Sequence, residues 1–443
     1  VSPGLQTYVD MAQRFQAARA ADTPVWLRTL RQQGLEQLSR QGFPTTRHED
    51  WKYTDVAPIV SRPFTPMVGG RQAELKAKVE QLGLPGPRLV FVDGQLSQEL
   101  SSLEGLYEGL TVKPLRQAVR EDAEALEAVL GQRARVEAHP FIALNAALLE
   151  EGAFIQVRQG AVAPSPVQLL FLASGEREAS VLSSPRIVVV AGANSEAALV
   201  ELYTGLDGGG ASFTNAVTEV VLGQNARLHH YKLQAEPQAA FHLASLHAHQ
   251  ARDSRLVSHS FALGAALARN EVSSVFAGEG GECVLNGLYV GGGTQHLDHR
   301  TDLDHAAARC TSRELYKGVL DGRARGTFHG RVLVREDAQH TDASQTNRNL
   351  LLSEGALVDT RPQLEILADD VKCAHGAAVG RLDEQALFYL RARGIPKAEA
   401  ERLLTYAFAS EVVGAVALEP LRARIEQLLA SRLPGGAQAR VEA

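Results

Sequence analysis

Cys373 and His375 stand two residues apart in Lys372-Cys373-Ala374-His375-Gly376. On a strand, residues i and i+2 point to the same face, roughly 6–7 Å apart along the chain. A thiol and an imidazole would then sit side by side. These are the side chains that hold iron–sulfur clusters, copper(I) and zinc. Two ligands are too few, because a cluster or a tetrahedral site takes about four. A metal held here needs further ligands from elsewhere in the fold or from a partner chain. The competing reading is packing, since free cysteine is among the most buried residues and a strand cysteine commonly faces a core.

Other groups invite the same question. The densest histidine stretch runs from His296 to His305, through Asp298, His299, Asp302 and Asp304. Alternation places His296 and Asp298 on one face and His299 on the other. Carboxylate plus imidazole suits zinc or non-haem iron, so a self-contained metal-binding module on His296, His299 and His305 is one alternative. The outward face of a β structure is also where polar residues belong, and a solvated or partner-facing surface is the expectation here. Cys283 and Cys310 read as core by context. Near the other end, Arg47-His48-Glu49-Asp50-Trp51-Lys52-Tyr53-Thr54 mixes charge and aromatics and reads as an aromatic anchor with satisfied polar neighbours.

The whole chain bounds these readings. With 443 residues it can bury more than one core. Hydrophobic content of 45%, charged content of 22% and a net charge of −6 describe an ordinary globular protein and argue against a general nucleic-acid binder. No apolar run reaches the ~18 residues of a membrane span, and VSPGLQTYVD lacks the regions of a signal peptide. Three widely spaced cysteines make no disulfide framework, which suits a reducing cytoplasm. There is no G-x-x-x-x-G-K-[ST], so the chain carries no P-loop ATPase of its own.

The positioning elements follow from periodicity and turn chemistry. Residues 5–41 read as helices, with Thr23-Pro24 opening the second. A helix over 71–82, an Asp93-Gly94 hairpin, an amphipathic helix over 114–131 and a short helix from Phe141 follow. From Gly152 to about Gly380 the texture changes to short Val/Leu/Ile-rich runs. Turns at Gly192–Ser195, Gly223–Ala226, Ala251–Ser254 and Gly278–Gly281 separate them, at a spacing of roughly 25–40 residues, about one coil of a β-solenoid. A jelly roll or sandwich is the rival. Around the Cys-His pair, Leu350–Ser353, Gln363–Ile366 and Val371–His375 are the apolar runs, and Glu354-Gly355, Arg361-Pro362 and Asp369-Asp370 punctuate them. A solenoid must cap its ends, a task the N-terminal helices are expected to perform at one end. After Gly380 come three helices: one capped by Asp383, one carrying an apolar stripe from Ala400 to Val413 expected to pack within the bundle, and one over 421–433.

NRNLLLSEGALVDTRPQLEILADDVKCAHGAAVGRLDEQALFYLRARGI resembles the C-terminal region of the SufB/SufD family. The match is long and gap-free. Arg47-His48-Glu49-Asp50-Trp51-Lys52-Tyr53-Thr54 resembles that family's R-x-E-x-W-x-Y-T segment, and Asp298 through Gly318 adds a third similarity. Where the SufB branch would carry D-K-C-G-A-H-T, this chain reads Asp370-Val371-Lys372-Cys373-Ala374-His375-Gly376. The resemblance implies a mainly β protein: a right-handed parallel β-helix core over residues 151–380, an N-terminal mostly helical domain over 1–150 and a C-terminal helical domain over 381–443. It implies a cytoplasmic, non-catalytic scaffold of an ATP-driven machinery that builds iron–sulfur clusters. Its partners would be SufB, as a heterodimer, and the ATPase SufC, docked on the C-terminal helices; a homodimer is possible without SufB. His375, with Cys373 as the plausible second, would contribute to a transient cluster at the SufB interface, and a flavin could supply electrons in the complex. A β-helix polysaccharide lyase or hydrolase is the enzymatic alternative. It would need a carboxylate or arginine cluster and an aromatic sugar-binding face, and aromatics are only 6% of this chain.

Overall fold

The structure is a computed structural model that describes residues 3–66, 72–175, 180–206, 208 and 210–433. Its body is a parallel β-solenoid of two ten-stranded sheets. Coil stacks on coil at a period of roughly 30 residues: Glu282, Thr311, Asp342 and Lys372 stand in one register. The expected corners are turns, and Asn194, Asn225 and Asp253 take positive φ in them, at 57°, 54° and 56°. Asn and Asp tolerate that left-handed conformation better than other non-glycine residues. The corners stack as well, since Asn225 Nδ2 donates to Asn194 Oδ1 at 2.9 Å.

Apolar side chains of both sheets meet in the interior, from Phe91, Phe171 and Tyr203 through Leu285 and Phe328 to Ala343. Phe91, Phe171 and Tyr203 stack ring on ring at 5.0 and 4.7 Å. Such pairs contribute about 0.5–1.5 kcal/mol each beyond their buried area, and they favour the register that keeps like over like.

The two ends of the solenoid differ. At the start, the predicted Asp93-Gly94 hairpin forms and pairs Arg88–Val92 with Gln95–Leu96, while Leu110–Pro114 lies antiparallel on Gly152–Val157. These strands, not helices, occupy the first sheet edges. The N-terminal helices Pro3–Arg19, Val25–Gln41 and Pro140–Ala147 pack on the flank instead, where Phe213, Phe241 and Leu267 receive them. The expected helix over 114–131 is two shorter ones, Leu115–Glu121 and Ala123–Glu127, broken at Asp122. Pro24 rather than Thr23 occupies the N-cap of the second helix, and the Thr23 hydroxyl donates back to the Arg19 carbonyl.

At the far end the last strands, Leu357–Ile366 and Lys372–Gly380, terminate the two sheets. Pro362 lies inside the first of them, although Arg361-Pro362 reads as a turn. An edge strand tolerates proline because half of its N–H groups have no ladder partner. Beyond it, helices Lys397–Val413 and Glu419–Arg432 fold back along one sheet. Ala409, Val412, Val413, Leu421 and Ile425 pack on Tyr231, Phe261 and Leu288. The apolar stripe thus covers the solenoid as well as its neighbouring helix. No described helix is long and apolar enough to cross a membrane.

Candidate functional site at the open end of the solenoid

Cys373 and His375 lie on Lys372–Gly380, whose one sheet neighbour is Asp342–Leu351. Parallel pairing places Cys373 over Ala343 and His375 over Gln345. One rung further in stand Ser312 and Glu314. The expectation of a shared face holds, and that face is the interior one, opened at the last coil. The thiol is half-buried against the interior cluster, whereas His375 is exposed. Burial pushes the Cys373 thiol up, so at neutral pH it is a protonated thiol that must shed its proton to bind a metal.

The column beneath His375 is polar. Gln345 and Glu314 are both buried, and Gln345 Nε2 donates to Glu314 Oε1 at 3.0 Å. Burial pushes the Glu314 carboxyl up to about 7, with the Gln345 hydrogen bond opposing the shift. A groove of about 330 Å³ runs along this rung, with Gln345, Asn347, Arg348 and His375 among its walls. Sequence reading missed Glu314 and Gln345. The signal was available, because Gln345 falls one coil period before His375 and Glu314 two.

The open edge is also apolar. Leu357, Leu367 and Val379 are 59%, 58% and 50% exposed. Uncovered backbone N–H and C=O groups beside such side chains form a template for strand pairing with another chain. Among the described residues no group of three His, Cys, Asp or Glu side chains is placed to hold a metal ion. Cys373 and His375, two groups, do not complete a metal site by themselves.

The other candidates resolve differently. His299 and His305 are buried in the interior, against the expectation of a solvated surface for this stretch. His299 stacks on Tyr289 at 5.0 Å, and His305 packs on Phe276 with its Nε2 2.9 Å from Ser312 Oγ. Burial lowers both imidazoles to about 4 and keeps them neutral. His296 and Asp298 face the other way, as alternation requires, but Asp298 is buried too. Cys283 and Cys310 are buried, as expected.

The segment 49–54 provides the cover over Asp298. Thr54 Oγ1 donates to Asp298 Oδ2 at 2.6 Å, and the Arg269 guanidinium binds the same oxygen at 2.9 Å. Arg269 lies 3.6 Å over the Trp51 ring and donates to the Asp50 carbonyl. Asp50 pairs with Arg300 at 3.0 Å, Arg325 lies over Tyr53, and Glu49 pairs with Arg361 on the terminal coil. The segment is a strap across successive coils. Between it and the sheet lies a cleft of about 710 Å³ that touches His139, His247, Arg300 and Arg331. Its arginines are already paired, Arg331 with Asp302 and Glu365.

Comparison with known proteins agrees with this architecture. Residues 171–408 match the family described as SUF system FeS cluster assembly, SufBD core domain, and residues 4–169 match the SufBD protein N-terminal region. The chain is 34% identical to the iron–sulfur cluster assembly protein SufD of Escherichia coli, over 92% of this chain and 93% of that one. It is 28% identical to the protein of the same name in Bacillus subtilis, over 92% and 94%. It is 30% identical to the chloroplastic protein ABCI7 of Arabidopsis thaliana, over 87% and 82%.

Proposed function

The chain belongs to the SufBD family of the SUF iron–sulfur cluster assembly system, and on that premise we propose that it is a non-catalytic scaffold subunit. It pairs with SufB through its open terminal coil and contributes His375 and Cys373 to a nascent cluster in the joint. The observation that carries this reading is the placement of the two side chains. A thiol and an exposed imidazole share one face of an edge strand paired on one side only, and the described residues supply no completing ligand. SufB then provides the remaining thiolates, which bind iron far better than neutral thiols. Without SufB, two copies of the same open edge can pair into a homodimer.

Residues 381–443 form the docking domain for the ATPase SufC, with 1–150 as the N-terminal domain and 151–380 as the core between them. Helix Glu384–Ala392 supports this assignment, because it buries none of its residues and exposes Phe388 and Tyr389. Helices Lys397–Val413 and Glu419–Arg432 are anchored on the solenoid, partly by Lys317 Nζ, which donates to the Phe408 carbonyl and pairs with Glu411. Movement imposed on these helices is thereby transmitted to the strands leading to the open end. Three free thiols suit a reducing cytoplasm.

The test is co-expression with SufB and SufC followed by anaerobic cluster assembly. The complex with His375→Ala is expected to form normally and to lose cluster formation. If the complex itself fails to form, the strand is an architectural contact and the ligand reading is wrong.

A further inference from the structure

We propose that Gln345 is a positioning residue for His375 and that Glu314 holds Gln345 in place. The inference rests on the reading of His375 as a ligand and goes one rung beneath it. A metal-bound imidazole almost always donates its other ring N–H to a carbonyl, a carboxylate or a water, which fixes its tautomer and orientation. Gln345 is the next residue of the column on the same interior face. Its amide has two ends, and one is already committed, because Nε2 donates to Glu314 Oε1 at 3.0 Å. The other end, Oε1, is buried without a hydrogen-bond partner. A buried carbonyl oxygen left unsatisfied is costly, so an acceptor at this place calls for a donor. The imidazole N–H of His375 is a donor on the adjoining rung.

The opposite sheet leaves room for this arrangement. Gly330 faces the Gln345 amide, and a Cβ added there would collide with it. Glu314 is buried, and its Oε1 accepts from the amide nitrogen, which commits that end of the amide. With its nitrogen committed to Glu314, the amide has its oxygen left for the His375 rung. The column Glu314–Gln345–His375 thus presents the imidazole with one nitrogen protonated and the other free for iron.

The experiment is histidine ¹⁵N NMR on the full chain, with the His375 signals assigned by their loss in His375→Gln. The wild type is expected to show one dominant His375 tautomer. Gln345→Met is expected to return the two ring nitrogens to the averaged shifts of a free imidazole. The exchanged pair, Glu314→Gln with Gln345→Glu, retains both the internal hydrogen bond and an outward oxygen and is expected to restore the single tautomer. In the complex with SufB, Gln345→Met should lower iron retention about tenfold or more. Identical His375 shifts in the wild type and Gln345→Met would overturn the proposal. Should Gln345→Met fail to fold, Gly330→Ala gives the same reading by displacing the amide, and unchanged shifts there overturn it equally. If the tautomer follows Gln345 while His375→Ala still assembles clusters, the positioning stands and the ligand role falls.

Discussion

Glu314 shows most directly what one residue contributes to this end of the molecule. Its folded carboxyl titrates at about 7, against a reference of 4.5. A raised acid pKa means that the protonated form is the one the fold accepts. The associated stability is therefore complete below about pH 4.5, falls as pH rises through 7 and stays lost above it. The expected effect is on the order of 3 kcal/mol for this buried group, and a shared proton network would lessen it. Chemical unfolding at pH 5 and pH 8 measures it, and Glu314→Gln should flatten the difference. A difference of the same size in Glu314→Gln would assign the pH dependence to other groups. Cys373 carries a related sign. Its thiol is pushed up by burial, so in the proposed ligand role it would release a proton on binding iron, and rising pH would favour that binding.

Among the elements, the strap 49–54 makes the sharpest prediction. Trp51 is buried beneath Arg269, and Thr54 satisfies one oxygen of the buried Asp298. Trp51→Ala should cost about 3–5 kcal/mol through the cavity it leaves. Thr54→Val should cost about 1–3 kcal/mol by removing a donor from a buried carboxylate. Thermal melts of both variants check the ranking, and a Trp51→Ala chain as stable as the wild type would show that the strap does not hold the coils. The exposed helix Glu384–Ala392 predicts the opposite behaviour. Phe388→Ala with Tyr389→Ala should leave unfolding within about 0.5 kcal/mol of the wild type, since neither side chain is buried. The same pair should abolish capture of SufC in a pull-down.

This scale also shows what the sequence made legible. Period-two alternation, the corners with Asn194, Asn225 and Asp253, and the Asp93-Gly94 hairpin are local signals, and each appears where its physics puts it. The errors lie where tertiary context decides. His299 and His305 read as surface because imidazole is polar, yet a solenoid interior offers Tyr289, Phe276 and Ser312 as partners from neighbouring strands. Pro362 reads as a break because its missing N–H is fatal in a central strand, but this strand lies at an edge. The candidate pair was read from two neighbouring positions, whereas Glu314 and Gln345 went unread, because they share its column only once three coils are stacked in register.

At the scale of the whole molecule, the asymmetry of the ends is the organising fact. One end finishes in short antiparallel strands, whereas the other presents two parallel strands, each paired on one side only, and an apolar rim. Natural sheets seldom leave such edges bare, because they recruit other chains. Val379→Lys should therefore weaken SufB pairing, and self-pairing in its absence, with little change in the chain's own melting temperature. Sedimentation of the chain alone and mixed with SufB measures both effects.

The central claim is that His375 is a ligand of the nascent cluster. Pulsed electron paramagnetic resonance on the reduced cluster in the ¹⁵N-histidine-labelled complex with SufB and SufC tests it most directly. A hyperfine coupling from one imidazole nitrogen, absent in His375→Ala, is the predicted result. A cluster that forms without such a coupling, or whose coupling survives His375→Ala, would contradict the account.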